Sequence, residues 1–313
     1  MALLSNWLFM AFAAPAIWAL VNIIDVYFSK EVFRDEYDAI IVTGVFHAAP
    51  WILIPVFGFT LPDNGVALLA FAGGVFFLIS YWFYFRSLFT IGDTALIQVV
   101  WNTTAIVVPL LAFFLLGEEL SDLQYIGIAV TFMGLIALSL AGGITRKNVV
   151  KILLNMVGAV IFFSFSMLSE MKAYSHTTFW SGFLMFSLGA FSGGAIVLVV
   201  RIFQKKAFHL IKMNKDYAWW FIGTELINIV GTICSQRAIS LTPAISFVAV
   251  IESLMPALII VESLVILVIL RIFSRNGHEI MEKIHRDQTA GFWIKAIAII
   301  IMAIGIYLIN LKI

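Results

Sequence analysis

The sequence has few charged residues and a single cysteine. Asp, Glu, Lys and Arg make up 12% of its 313 residues, and the net charge is +1, whereas soluble domains contain about 25% charged residues. The one cysteine, Cys234, excludes an internal disulfide and a cysteine-based metal cluster. A chain without surplus charge has no long-range field to recruit nucleic acid. These shortages exclude a cytosolic globular enzyme, a disordered chain and a nucleic-acid-binding protein.

Long apolar runs take the place of the missing charge. Hydrophobic residues make up 62% of the chain, and its mean hydropathy is +1.05. A membrane-spanning helix needs about 20 apolar residues, and strand-like alternation is absent, which argues against a barrel. We therefore predict an all-α integral membrane protein with ten transmembrane helices, at about residues 6–28, 38–58, 66–87, 95–117, 124–142, 152–171, 178–202, 218–238, 244–273 and 290–311.

Turn and capping residues support these boundaries. The stretch 61–65, Leu-Pro-Asp-Asn-Gly, separates spans two and three. Ser121 followed by Gln124 predicts a capping box that opens span five. Thr242 and Pro243 fit the cap and the first position of span nine. Each signal lies between two apolar runs, so the runs are predicted to be separate helices.

The Lys and Arg residues are distributed unevenly between the loops. The loops after the odd-numbered spans contain fifteen of them, and the loops and ends on the opposite side contain three. The positive-inside rule therefore predicts that the basic loops are cytoplasmic and that both termini lie outside. We expect a multi-pass protein of the plasma (inner) membrane.

Two weak internal similarities divide the chain into halves. Residues 86–88, Arg-Ser-Leu, resemble 237–239, Arg-Ala-Ile, at an offset of 151, and residues 128–134 resemble 299–305 at an offset of 171. Because each half, 1–143 and 144–313, contains five spans, the second half would be inverted relative to the first. Inverted repeats are typical of secondary transporters, whose substrate site lies near the midplane between the repeats.

The junction of spans four and five carries a family resemblance. Residues 116–127 read Leu-Gly-Glu-Glu-Leu-Ser-Asp-Leu-Gln-Tyr-Ile-Gly, which resembles a signature of the EamA-like branch of the drug/metabolite transporter superfamily. The second half lacks the Gly-Glu element, and Thr104 stands where a proline usually precedes the signature. The resemblance implies a ten-helix carrier of two inverted five-helix repeats that moves amino acids, amines, nucleotide sugars or other metabolites.

Polar residues inside the spans indicate where a cargo would pass. A charged side chain at the centre of a membrane helix costs about 2.5–3.5 kcal/mol on insertion scales, so such groups should face a cavity. Residues spaced three or four apart share one helix face. Span eight has such a face with Glu225, Asn228, Thr232 and Gln236, and span one has another with Trp18, Asn22 and Asp25. The alternative is that these groups only form interhelical hydrogen bonds that hold the bundle together.

The predicted substrate site combines these faces with deep aromatic and polar residues of other spans. Tryptophans beside carboxylates would suit an amine through cation–π attraction, although the same rings could simply pack. The full predicted set is Trp18, Asn22, Asp25, His47, Trp82, Tyr84, Gln98, Trp101, Asn102, Glu225, Asn228, Thr232 and Glu252. Arg86 and Arg237 end spans three and eight on opposite sides of the membrane, so we predict that they act in the two gates.

These patterns favour a secondary active transporter of a small polar or cationic metabolite, such as an amino acid or amine. It would work by alternating access, either coupled to protons or as an exchanger, because the chain lacks a nucleotide-binding loop. A flippase for a lipid-linked metabolite is the main alternative. A membrane-embedded enzyme is less favoured, because the spacing of His278, Glu279 and His285 departs from a zinc-binding helix motif.

We predict no catalytic residue, no metal site and no cofactor. The acidic residues Asp35, Glu36 and Asp38 are interpreted as a solvated charge run rather than a magnesium site. The expected partners are a small-molecule substrate and the lipid bilayer but not nucleic acid, and the sequence leaves a homodimer open.

Overall fold

The regular structure of the chain is helical wherever it can be described. The computed structural model describes residues 6–91, 97, 100–141, 146–206, 215–273 and 292–311. Its helices are α1 (Trp7–Glu31), α2 (Glu36–Phe46), a 3₁₀ helix (Ala49–Leu53), α3 (Ile54–Phe57), α4 (Asn64–Ile91), α5 (Thr104–Leu116), α6 (Asp122–Ala141), α7 (Arg146–Tyr174), α8 (Phe179–Phe203), α9 (Lys215–Leu241), α10 (Ile245–Glu252), α11 (Met255–Phe273) and α12 (Phe292–Asn310).

These helices form ten segments, as the sequence predicted. The second segment consists of α2, the 3₁₀ helix and α3, and the ninth consists of α10 and α11. The predicted boundaries lie within a few residues of the observed ones. The largest difference is at α7, which begins at Arg146, whereas the apolar run begins near residue 152.

The surface and the interior have the polarity of a membrane protein. Among the residues that the structure describes, seven helical segments are long and apolar enough to cross a bilayer. Large apolar side chains face outward, among them Phe203, Trp219 and Trp293, which are 83%, 77% and 76% exposed. Polar side chains such as Asn102 and Thr232 are buried instead. This arrangement suits a lipid solvent, and the fold is that of a multi-pass membrane protein.

Two of the predicted helix boundaries are confirmed in atomic detail. The Ser121 N–H donates to the Gln124 side chain at 2.8 Å, and the Gln124 N–H donates to the Ser121 hydroxyl at 3.4 Å. This reciprocal pair is the predicted capping box at the start of α6. Residues 58–63 are not helical, and α4 begins directly after them.

Span nine begins within one residue of the predicted position, but its predicted capping residues, Thr242 and Pro243, are wrong. The N-cap of α10 is Ala244, and the Thr242 hydroxyl donates to the Ala244 carbonyl at 2.8 Å. The free N–H groups of Ile245 and Ser246 donate instead to the Glu118 carboxylate, at 2.8 and 3.3 Å, and the Ser246 hydroxyl donates to it as well. A carboxylate from the connection between α5 and α6 therefore replaces the local cap.

The acidic segment at the start of α2 was expected to be a solvated charge run. The structure contradicts this expectation. Asp35 caps α2 by accepting from the N–H groups of Tyr37 and Asp38 at 3.1 and 3.3 Å. Asp38 is fully buried and accepts from the Arg34 N–H at 3.0 Å. The carboxylates are therefore tied to the backbone around the helix start and not to water.

Glycines allow several helices to touch through their backbones. A Cβ on Gly189 of α8 would lie 2.0 Å from the Phe71 carbonyl oxygen of α4, and one on Gly74 would lie 1.9 Å from the Phe186 carbonyl oxygen. Gly189 is the first residue of a Gly-x-x-x-Gly motif in α8, the pattern that permits such close packing. These glycines let α4 pack closely against α8, and α4 also packs against α7.

The fourth and ninth segments are interrupted near the middle of the bundle. Turns at residues 102–103 and 253–254 separate α5 and α11 from the helical residues before them. Both breaks are buried, since Asn102 and Ser253 are 2% and 1% exposed. In the ninth segment Pro256 has no N–H, so it cannot bond the carbonyl of Glu252 in the usual helical pattern.

Candidate functional site

A chamber lies between residues from the two halves of the chain. The first half contributes Trp18, Val21, Asn22, Asp25, Tyr81, Tyr84 and Trp101, and the second half contributes Phe163, Asn228 and Met255. The cavity volume is about 40 Å³, which is room for about three water molecules. Six of the thirteen predicted substrate residues line it: Trp18, Asn22, Asp25, Tyr84, Trp101 and Asn228.

The polar stripe of span eight faces the interior over its whole length. Glu225, Asn228, Thr232 and Gln236 of α9 are 6%, 4%, 1% and 4% exposed. Leu226 and Val230 on the opposite face are half exposed. The spacing of three and four residues therefore identified the buried face of α9 correctly, and Asn228 brings that face to the chamber wall.

The predicted face of span one forms the facing wall. Trp18, Asn22 and Asp25 all line the chamber. The Asn22 amide donates to the Tyr84 hydroxyl at 2.5 Å, which fixes α1 against α4 at this point. The Trp18 indole N–H is buried and finds no acceptor among the residues that the structure describes. The indole nitrogen lies against Gly231 of α9, so the wall offers a bound molecule the Asp25 carboxylate rather than this N–H.

Glu225 stands directly behind the chamber wall. Its carboxylate accepts from the Asn228 amide at 3.3 Å and from the Thr43 hydroxyl at 3.4 Å. It also interacts electrostatically with Asp25 across the α1–α9 contact. Two carboxylates thus interact with each other at and behind the chamber wall. Such a pair is stabilised by a cation or by a shared proton.

Aromatic rings close the rest of the chamber. The ring centroids of Tyr81 and Tyr84 lie 5.8 and 5.5 Å from that of Trp101, and Phe163 lies 4.9 Å from Trp101. Ring faces and edges beside Asp25 are the elements of a site for an organic cation. Sequence reasoning missed Tyr81, although it lies three residues before Tyr84 and so shares its face of α4.

The other predicted substrate residues that the structure describes do not line the chamber. His47 packs between Phe77 and Phe186, and its Nδ1 lies 2.8 Å from the Thr43 carbonyl oxygen. Trp82 faces a different, apolar groove between α2, α4 and α8. Asn102 is buried at the break before α5, and Thr232 donates to the Asn228 carbonyl at 3.0 Å. Glu252 belongs to a second polar cluster, and Gln98 lies outside the described residues.

This second cluster surrounds Glu170, which sequence reasoning left out of the site. Glu170 accepts from the Gln236 amide and is in contact with the Ser166 hydroxyl. The Tyr174 hydroxyl donates to the Gln236 carbonyl oxygen at 2.6 Å. Nearby, the Ser235 hydroxyl donates to Glu252 at 2.6 Å. The sequence contained one signal for this cluster. Gln236 is the last residue of the polar stripe of α9, and it bonds directly to Glu170.

The two predicted gate arginines lie over aromatic rings. The guanidinium of Arg86 is 5.2 Å from the Trp82 ring centroid, and that of Arg237 is 5.1 Å from the Phe179 ring centroid. An ion pair joins Arg201 of α8 to Asp35 at the start of α2. This partly buried pair links the two helices at the end of the bundle where α2 begins and α8 ends.

The described residues contain no group of three or more His, Cys, Asp or Glu side chains that could hold a metal ion. Comparison with known proteins adds the fold alone. No family model and no curated protein matches the chain. A solved structure described only as "Crystal structure of protein" is similar, with a TM-score of 0.63 and 14% identity. The match covers 96% of this chain and 95% of that chain, so the likeness extends over the full length of both.

Proposed function

We propose that the protein is a secondary active transporter of a small cationic or polar metabolite, and that it works by alternating access without covalent chemistry. The observation that carries this proposal is the chamber, which both halves line and which combines Asp25 with Asn22, Asn228 and a ring of aromatic side chains. A carboxylate among aromatic rings favours an amine over an anion. The EamA-like resemblance belongs to the same proposal.

The proposal includes two inverted five-helix repeats, and the helix packing supports it. If helices one to five correspond to helices six to ten, the α1–α9 contact corresponds to the α7–α4 contact, and both are extensive. The fourth and ninth segments are broken at residues 102–103 and 253–254. The offset of 151 between these breaks equals the offset between Arg86 and Arg237.

The contact between α6 and α12 gives independent support for the repeat. A Cβ on Gly127 would lie 2.7 Å from the Gly305 carbonyl oxygen, and one on Gly134 would lie 2.8 Å from the Ala298 carbonyl oxygen. Adding 171 to Gly127 gives Ala298, and adding 171 to Gly134 gives Gly305. The two contacts are therefore equivalent under the proposed repeat. The partner residue number falls as the Gly number rises, so the helices run antiparallel, as inverted equivalents must.

Alternating access requires that each end of the chamber can open in turn. At the end where α2 begins, the Asp35–Arg201 pair links α2 to α8. At the other end Phe57 and Trp180 stack with centroids 3.9 Å apart, and Glu118 bonds to the start of α10. With contacts at both ends and a small chamber, we propose that this conformation is an intermediate between the two open states. We propose that the Asp35 end is cytoplasmic, because the basic loops lie there, that both termini lie outside, and that the membrane is the plasma (inner) membrane.

Counterflow in proteoliposomes tests the proposal. Purified protein is reconstituted, and a panel of labelled amines and amino acids is screened for exchange against unlabelled solute. We expect at least one cationic solute to exchange with the wild type. Asp25→Asn and Glu225→Gln should abolish the exchange, because each removes a negative charge at or behind the chamber wall.

Two matched variants control for damage to the fold. Glu262→Gln removes a carboxylate of α11 that lies outside the chamber lining, and Trp82→Phe alters a ring that faces another groove. Both should retain exchange. If the single variants Asp25→Asn and Glu225→Gln both retain full activity, the role of the chamber carboxylates is refuted. Absence of exchange for every solute in the wild type would refute the transport proposal itself.

A further inference from the structure

Glu170 and its neighbours form a buried polar cluster that joins both halves of the bundle. Ser166, Glu170 and Tyr174 lie on α7, Gln236 lies on α9, and the Gly73 carbonyl belongs to α4. Glu170 is 2% exposed and Ser166 is 1% exposed. Gln236 lies eight residues beyond Asn228 along α9, which is about 12 Å. The cluster is therefore separate from the chamber.

The hydrogen bonds of Ser166 indicate where a proton resides. Its hydroxyl oxygen lies 2.8 Å from the Gly73 carbonyl oxygen and is also in hydrogen-bonding contact with Glu170 Oε1. A serine hydroxyl has one proton, and a carbonyl oxygen can only accept. If Ser166 donates to Gly73, the proton in the second contact must come from the Glu170 carboxyl group. Two separate, linear hydrogen bonds can form together here when Glu170 is protonated, whereas an ionised Glu170 would have to share the single Ser166 proton with Gly73.

The nearby Glu252 carboxyl group makes the cluster sensitive to added negative charge. Glu252 is 8% exposed, and its Oε2 has no hydrogen-bond partner among the described residues. The groups that interact electrostatically with Glu170 are Glu252 at the end of α10 and the Tyr174 hydroxyl on α7. The residue of α4 that faces Glu170 is Gly73, and the residue of α9 that faces it is Gln236. The guanidinium of Arg237, the next residue on α9, lies over the Phe179 ring.

We propose that Glu170 binds the proton that drives this transporter, and that its protonation decides whether Ser166 ties α7 to α4. This inference rests on the proposed transport function. In the protonated state the Glu170 hydroxyl donates to Ser166, and Ser166 donates to the Gly73 carbonyl. On release, the proton passes to water that enters from the adjacent end of the bundle, and the Ser166 hydroxyl turns to donate to the Glu170 carboxylate. The bond from α7 to α4 is then lost.

The direction of coupling follows from these two states. Deprotonation adds a negative charge beside Glu252 in a region without bulk water, which is unfavourable until water enters. It also removes the Ser166 bond to Gly73. Both effects favour opening of the end where α7 and α9 terminate. Proton binding favours closure of that end.

Infrared difference spectroscopy of the carboxyl C=O band detects this proton directly and needs no cargo. Purified protein in liposomes is cycled between acidic and alkaline buffer. We expect a protonated carboxyl band in the wild type that Glu170→Gln removes and Glu262→Gln retains. Ser166→Ala should keep the band but shift its frequency, since the carboxyl loses its acceptor. This second variant decides the question if Glu170→Gln does not fold.

Identical bands in the wild type and Glu170→Gln, or an unshifted band in Ser166→Ala, would overturn the proposal. The transport arm uses a solute that counterflow has identified. We expect Glu170→Gln to lose accumulation driven by a pH gradient, and its counterflow to be independent of pH, because the amide imitates the protonated acid. Accumulation retained in Glu170→Gln would refute the coupling role. If the wild type moves no solute, the transport proposal fails, whereas the infrared result still decides the proton site.

Discussion

Glu118 gives the sharpest test of how the two halves are joined. Its carboxylate accepts from the N–H groups of Ile245 and Ser246, at 2.8 and 3.3 Å, and from the Ser246 hydroxyl. The first N–H groups of a helix have no partner within the helix, and the N-cap Ala244 offers no side-chain acceptor. Glu118→Ala therefore leaves the start of α10 without its acceptor.

The expected cost can be worked out from these bonds. Removal of an N-cap side chain costs about 0.5–2 kcal/mol, and each hydrogen bond to a charged group contributes about 1.5–3 kcal/mol. Glu118 is only half-buried, so water replaces part of what is lost. We expect Glu118→Ala to be destabilised by about 2 kcal/mol. At about 2 °C for each kcal/mol in a chain of this size, Tm should fall by about 4 °C.

The neighbouring Glu119 is the matched control, because it lies in the same connection and is exposed. Thermal unfolding of Glu118→Ala, Glu118→Gln and Glu119→Ala in the same detergent is the measurement. Glu118→Gln should be intermediate, because the amide keeps one acceptor oxygen. Equal Tm values for Glu118→Ala and Glu119→Ala would refute the view that this carboxylate caps a helix of the other half.

Two further predictions concern the helix packing and the ion pair between α2 and α8. Gly44→Leu should lower stability by about 1–3 kcal/mol or more, because its Cβ would lie 2.6 Å from the Gly194 Cα. Gly65→Leu, where nothing lies within 4 Å of a Cβ, should leave Tm almost unchanged, and equal losses would contradict the packing argument. Arg201→Gln and Asp35→Asn should each destabilise the protein, and a double-mutant cycle should give a coupling of about 1–2 kcal/mol. Additive effects would show that the ion pair does not hold the two helices together.

Local patterns in the sequence predicted the segments of the fold well. The ten apolar runs, the Ser121–Gln124 capping box and the inward face of α9 all depend on residues within a few positions of each other. Helical geometry alone converts such spacing into structure. The chamber residues Asn22 and Asn228 were found for the same reason, since each belongs to a polar face of a single helix.

Contacts between distant residues were not predictable in this way. Glu118 caps a helix that begins 127 residues later, and no local signal identifies that partner. Trp82 was expected at the substrate site, yet Tyr81 lines the chamber and Trp82 faces another groove. The signal was present but unused, because Ser80, Tyr84 and Ser87 share the buried face of α4, and Trp82 lies on the opposite side of the helix. Glu170 lies near the end of α7, and its partner Gln236 belongs to another helix, so no local pattern placed it in a site.

The position of bound cargo tests the central claim most directly. An experimental structure of the wild type is determined with the solute that exchanges best in counterflow. The account predicts that the solute lies between Asp25, Trp101 and Asn228, in a chamber wider than the closed one. A solute bound at the lipid-facing surface, with these three residues still packed against each other, would contradict it.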